Sequence, residues 1–142
     1  MEIKEITAEE KSELGTFKAS NYPAIDKDHY GELLPDFTET EVTLIARDNG
    51  NIVGYLDMSV AVGVASLKSL MVGVDCQGKG FGSELVQKAE EKARSLNAHK
   101  VTVETGLGWK AKPFYEKLGY TVRAILPNDF NGEDAVLLDK ML

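Results

Sequence analysis

The stretch "CQGKGFGSEL" runs from Cys76 to Leu85 and sets glycine at alternate positions, Gly78, Gly80 and Gly82, directly ahead of helix-forming residues. Glycine costs roughly 0.5–1 kcal/mol relative to alanine wherever the backbone must be fixed, so the cluster implies an interaction that compensates. The flanks say which kind. "VASLKSLMV" (Val64–Val72) reads as a strand, and "GSELVQKAEEKARSLNA" places apolar residues at 85, 86, 89, 93 and 96, the stripe of an amphipathic helix. A strand, a glycine loop and a helix start make an anion site. The first helical N–H groups point outward at the positive end of the helix dipole. Each charge-assisted amide–phosphate bond contributes about 1.5–3 kcal/mol, so several together offset the glycine entropy. The loop is not a P-loop, because no Gly-Lys-Ser/Thr follows four free residues, and Ser83 stands where a dinucleotide fingerprint needs its third glycine.

Working outward, "EIKEI" (Glu2–Ile6) alternates like a short strand, and Thr7 with Glu10 is a capping-box pattern opening a helix to about Asn21. Pro23 is expected to stop that helix, with a second, shorter one before Pro35. "EVTLIAR" (Glu41–Arg47), the Asn49-Gly50 turn and "IVGYLDMSVAV" (Ile52–Val62) form a hairpin that Val64–Val72 extends into a meander. Glu84 with Lys88, and Glu90 with Arg94, are i,i+4 pairs on the second long helix. "KVTVET" (Lys100–Thr105) is a strand with Val101 and Val103 on one face and Thr102 and Glu104 on the other. "AKPFYEKLG" is a short helix with Pro113 in its first turn and Gly119 at its C-cap, and "YTVRAIL" and "DAVLLDKML" are closing strands. This order predicts an α+β (mixed α/β) architecture in one domain, residues 1–142.

Composition removes several classes of function. The chain carries a net charge of −7, and residues 1–41 hold 11 acids against 4 bases, so all of the excess lies there. That disfavours nucleic acid and anionic membranes as partners. Cys76 is the only cysteine and the two histidines are far apart, so neither a disulfide nor a metal site is expected. No apolar run spans a bilayer and the N-terminus has no leader pattern, which points to a cytoplasmic protein.

Two motifs carry a resemblance. Gln77, Gly80 and Gly82 match the Gln/Arg-x-x-Gly-x-Gly/Ala acyl-CoA loop of the GNAT superfamily of N-acetyltransferases. Downstream, Ala111, Phe114, Tyr115, Glu116, Lys117, Gly119 and Tyr120 in "AKPFYEKLGY" resemble that superfamily's second signature. The spacing of the motifs and the order of elements over essentially the whole chain agree with it.

The resemblance implies a mostly antiparallel central sheet of about seven strands flanked by about four helices. It implies acetyl-CoA as cosubstrate, with the pyrophosphate on the backbone of Gln77, Gly78, Lys79, Gly80, Phe81 and Gly82, and Ser83 adding its hydroxyl or amide. Lys79 is equally a solvated lysine. Leu70, Met71 and Val72 would carry a bulge and pair with the pantetheine arm, the Val72 amide polarising the thioester carbonyl. Tyr115 is the expected general acid, against the plainer reading of Phe114 and Tyr115 as core aromatics. Glu104 is the first candidate to take the proton of the amine, with Asp57 second. Gly108 stands where the family often has an Asn that helps hold the coenzyme, and Trp109 either lines the acceptor pocket or packs. The first helices would wall the acceptor site, so their acidity favours a cationic amine: a small amine, polyamine, aminoglycoside or peptide amine. A homodimer is a family habit. The alternative is a non-catalytic acyl-CoA-binding or regulatory domain of the same shape.

Overall fold

The computed structural model describes every residue except Leu33 and comprises two compact units, Met1–Asp36 and Phe37–Leu142. In the first unit one helix, α1, runs from Lys11 to Tyr30. Residues 2–6, expected as a strand, form none. Alternation alone gives a strand no partner, and here Lys4 instead reaches Glu10 at 2.8 Å. The Thr7 N–H and hydroxyl both donate to the Glu10 carboxylate, at 2.9 and 3.1 Å, the first of these being one half of the expected capping box, while α1 itself starts at Lys11. Lys4 and then Thr7 hold the Glu10 carboxyl below its usual range.

The predicted break at Pro23 is also corrected: α1 continues through it to Gly31, which leaves the helix at φ 67° with its N–H on the Lys27 carbonyl at 3.0 Å. Proline removes one amide donor and crowds one carbonyl. The donor lost here is the one to the Ala19 carbonyl, a single rung of a 20-residue helix. The two helices expected before residue 35 are therefore one. Among the described residues there are six strands and three α-helices, not about seven and four.

The second unit is built on a six-stranded sheet ordered β1-β2-β3-β4-β6-β5. Its strands are β1 (Thr40–Asp48), β2 (Asn51–Ala61), β3 (Val64–Val72), β4 (Lys100–Gly106), β5 (Thr121–Phe130) and β6 (Glu133–Met141). The Asn49-Gly50 turn has the positive φ values, 47° and 82°, that its sequence predicts, and Asn131-Gly132 repeats the device between β5 and β6. Only β3 and β4 are parallel. The helix α2 (Phe81–Ser95) makes the crossover between them, and α3 (Ala111–Lys117) joins β4 to β5.

The core lies between α2 and the sheet. Leu56, Met58, Val86, Val101, Val136 and Leu138 are fully buried in it. The α2 stripe is as predicted, with one addition: Glu90 is buried among Leu85, Val86, Ala89 and Ala93. It does not pair with Arg94. Lys140 of β6 reaches both of its oxygens at 3.0 Å, and the Tyr120 hydroxyl donates to it at 3.2 Å. A buried carboxylate needs such partners to remain charged. Lys88 pairs with Glu91 at 2.7 Å rather than with Glu84.

Candidate active site

The site begins where the sheet opens. β3 and β4 pair only from Val64–Leu67 against Lys100–Val103. Beyond Leu67, β3 stays with β2 as far as Val72, while β4 stays with β6 as far as Gly106, so a gap parts them. The cause is an extra residue in β3. Asp57 faces Ser69 and Met58 faces Leu67, which leaves Lys68 without a partner. This bulge lies ahead of the Leu70–Val72 segment where it was expected. It switches the side-chain alternation: Ala65 and Leu67 are buried before it, and Leu70 packs on the core after it.

The backbone of the freed strand faces the gap. Gly73 N–H donates to the Val53 carbonyl at 2.8 Å. Alternation sends the Met71 N–H toward β2 as well, and those of Leu70 and Val72 toward the side that β4 has left. The Val72 carbonyl accepts the Gln77 side-chain amide at 3.2 Å, tying the glycine loop to the end of β3.

Below the gap lies the start of α2. Gly78 and Gly80 have φ 75° and 92°, a conformation that strains any residue with a Cβ. The first intrahelical bond runs from Glu84 N–H to the Gly80 carbonyl at 3.0 Å, so the N–H groups of Phe81, Gly82 and Ser83 have no intrahelical acceptor. No side chain caps them. They open on a cleft of about 550 Å³, which gathers Leu70, Val72, Gln77, Gly78, Gly80, Phe81, Gly82 and Ser83. Of the residues the sequence singled out here, Lys79 and Met71 lie outside it. Met71 sits opposite Tyr55 in the ladder with its side chain 56% exposed. The cation on the cleft wall is Lys110, which forms no ion pair among the described residues. Sequence reasoning passed over Lys110, since nothing in a lone lysine before a helix announces which cavity it borders.

A second cavity of about 300 Å³ occupies the gap itself, walled by Leu67–Leu70 of β3, Val103–Thr105 of β4 and Trp109, Ala111, Phe114 and Tyr115. Leu70, Ala111 and Phe114 line both spaces, so the two adjoin. Glu104 and Tyr115 share the second one, whereas Asp57 lies outside it, its carboxylate accepting the Thr43 hydroxyl at 2.5 Å. The Tyr115 ring is buried edge-on between Phe114 and Tyr120, with centroids 5.0 and 5.4 Å away. Burial pushes its phenol up to about 12. Among the described residues its hydroxyl has no hydrogen-bond partner, and Tyr115 lines this cavity. The Tyr120 phenol behind it is also raised, by burial first and then by the Glu90 charge. Among the described residues no three His, Cys, Asp or Glu side chains are grouped to hold a metal, and no helix is long and apolar enough to cross a membrane.

Comparison with known proteins agrees with this geometry. Over 99 residues the chain is 32% identical to MJ1530, an uncharacterized N-acetyltransferase of Methanocaldococcus jannaschii. That match takes in 68% of this chain and 64% of the relative, so it spans less than two thirds of the relative's length. The crystal structure of an acetyltransferase from Bacillus cereus superposes with a TM-score of 0.77 at 20% identity, covering 100% of this chain and 98% of the other. A GNAT family acetyltransferase from Elizabethkingia anophelis, solved with acetyl-CoA bound, gives 0.66 at 22% identity over 70% of this chain and 75% of its own. The model of the Acetyltransferase (GNAT) family matches residues 3–120, a span that contains the splayed strands, the glycine loop and the helix bearing Tyr115. On that match the chain belongs to the GNAT family of acetyltransferases.

Proposed function

We propose that the protein transfers the acetyl group of acetyl-CoA directly to a primary amine, with the cleft at α2 holding the diphosphate and the gap between β3 and β4 holding the pantetheine and thioester. The observation that carries this reading is that the two cavities adjoin, one lined by unpartnered amides and the other by Tyr115 and Glu104. A diphosphate with a long acyl-bearing arm matches that sequence of surroundings. The N–H groups of Phe81, Gly82 and Ser83 would bind phosphate oxygens at the positive end of α2. Gln77, Gly78 and Gly80 would shape the loop, and Lys110 would add the charge first sought in Lys79. The free backbone of Leu70 and Val72 would pair with the pantetheine amides as an added strand does. Leu70, which reaches the cavity of Tyr115 where Val72 does not, is the better donor to the thioester oxygen.

In the transfer step the amine nitrogen attacks the thioester carbon, the C–N bond forms and the C–S bond breaks. The departing thiolate takes a proton through Tyr115, which recovers one from solvent, and the amine gives up its own. With its phenol near 12, Tyr115 stays protonated at every physiological pH. The burial that raises it would raise the pKa of a thiol lodged beside it in the same direction. The amine must first be neutral. Deprotonating an ammonium of pKa about 10.4 at pH 7 costs roughly 4–5 kcal/mol. Glu104, exposed at the cavity, is the proposed acceptor of that proton, directly or through water. The carboxylate excess of residues 1–41 favours a cationic acceptor.

Calorimetry with acetyl-CoA, followed by thiol release with an amine library, tests the proposal. Heat of binding and amine-dependent thiol release are expected. Binding without release for any amine would leave a non-catalytic acyl-CoA-binding domain, and no heat at millimolar acetyl-CoA would remove the reading altogether.

A further inference from the structure

We infer that Trp109 and Phe130, with the acidic tip of the β5–β6 hairpin, form the acceptor subsite, and that it takes a diamine or polyamine whose second ammonium lies over the indole. The inference rests on the proposed reading of the cleft as an acetyl-transfer site. Trp109 borders the same cavity as Glu104 and Tyr115. It is nonetheless 55% exposed, and Phe130 is 66% exposed, an aromatic surface larger than a bare loop needs.

This surface is held in place. The indole lies so close over Gly106 that a Cβ there would sit 2.5 Å from the ring, so only glycine permits the stacking. The Trp109 N–H donates to the Gly106 carbonyl at 3.1 Å, closing the turn that aims the ring. Phe130 meets the indole edge-on, centroids 6.1 Å apart at 82°. The Leu107 N–H donates to the Asp134 carbonyl at 3.0 Å, which ties the hairpin to the turn.

Charge then selects the occupant. The tip "PNDFNGED" (Pro127–Asp134) bears Asp129, Glu133 and Asp134 and no base. Among the described residues none of these carboxylates is in an ion pair, although Asp134 accepts the Asn128 N–H at 2.9 Å. An aromatic pair on a hairpin whose tip carries three acids, Glu133 opposite Phe130 in the ladder, favours a cation by the ring quadrupole and by direct attraction. With one amine at Glu104 facing the thioester, an acceptor that reaches Trp109 presents its second cation to this surface.

The test compares putrescine with n-butylamine in the thiol-release assay, using acetyl-CoA and the full chain. The diamine is expected to have a kcat/KM about tenfold above that of the monoamine. Trp109→Ala should raise the KM for putrescine by about as much, and by at least about fivefold more than it raises the KM for n-butylamine. Trp109→Phe should restore most of the loss, and Phe130→Ala should follow Trp109→Ala more weakly. Acetyl-CoA affinity, measured by calorimetry, should hold in all three variants. Equal effects on both amines, no effect on either, or turnover of neither by a protein that still binds acetyl-CoA would overturn the subsite. Loss of acetyl-CoA binding by the unaltered protein would instead overturn the reading beneath it. If Trp109→Ala fails to fold, the Phe130→Ala comparison of the two amines decides.

Discussion

At the start of α2 the cleft is walled by peptide N–H groups on a glycine-rich loop; in the gap between β3 and β4 it is walled by side chains, Glu104, Trp109 and Tyr115 among them. The two ends respond differently to change. A backbone donor survives any substitution that keeps φ and leaves its approach open. A side-chain donor is removed by a single atom. The first kind of site is general for a shared cosubstrate, and the second can be retuned residue by residue for a new acceptor.

The largest effect should come from the side-chain end. Tyr115→Phe is expected to lower kcat by about 10²- to 10⁴-fold, the range of a general acid, with acetyl-CoA affinity unchanged within twofold. An unaltered kcat would hand the proton to water. The pH dependence sharpens this. A phenol raised to about 12 in the folded protein, against about 10 unfolded, favours the protonated form. Its stabilisation is complete below about pH 10 and is lost as pH rises toward 12. Denaturant unfolding should therefore show a drop in that window, shallower in Tyr115→Phe, and no basic limb in kcat below about pH 10 should belong to this group.

Next in size is Glu104→Gln. If Glu104 relays the proton of the amine, the variant should lose about 10- to 100-fold in kcat/KM at pH 7, with the deficit shrinking as pH nears the pKa of the amine. A pH-independent deficit would assign Glu104 to binding instead. At the backbone end, Gly80→Ala and Gly82→Ala separate strain from access. Gly80 has φ 92°, so a Cβ there should cost about 1–2 kcal/mol of stability as well as affinity. A Cβ on Gly82 would make only ordinary contact with Phe114 and Val72, at 3.5 and 3.6 Å. Gly82→Ala should thus melt like the parent yet bind acetyl-CoA more weakly, and equal affinity would show that the diphosphate does not approach that amide. The smallest effect is expected of Lys110→Ala, a two- to fivefold rise in Kd that fades at high salt, as for an exposed charge.

The two ends also differed in how much the sequence disclosed. The boundaries of β3, β4 and α2, the Asn49-Gly50 turn and the glycine loop were readable because each rests on local chemistry: periodicity, positive φ, free amides. The acceptor end was readable in part: Glu104, Trp109 and Tyr115 were singled out, Phe130 and the tip at Pro127–Asp134 were not. Phe130 comes against Trp109 only because the β5–β6 hairpin returns beside the end of β4, a contact that no local pattern encodes. Glu90 misled for the same reason. Its i,i+4 spacing to Arg94 is a helix-surface argument, and Lys140 and Tyr120 overrode it from across the fold. The break expected at Pro23 did not occur, because a proline removes one amide donor, here that to the Ala19 carbonyl, and α1 runs on through it to Tyr30.

Lys68 sets a reading frame within β3. Odd-numbered residues point inward before it and even-numbered ones after it, so a deletion at this single position would restore an unbroken alternation. Leu70 and Val72 would then stay on the inner face in step with Ala65 and Leu67, and β4 could zip along the full length of its neighbour. The resulting sheet would be more regular and would have no crevice. In this molecule one surplus amino acid keeps two strands from finishing their ladder, and the crevice is what that leaves.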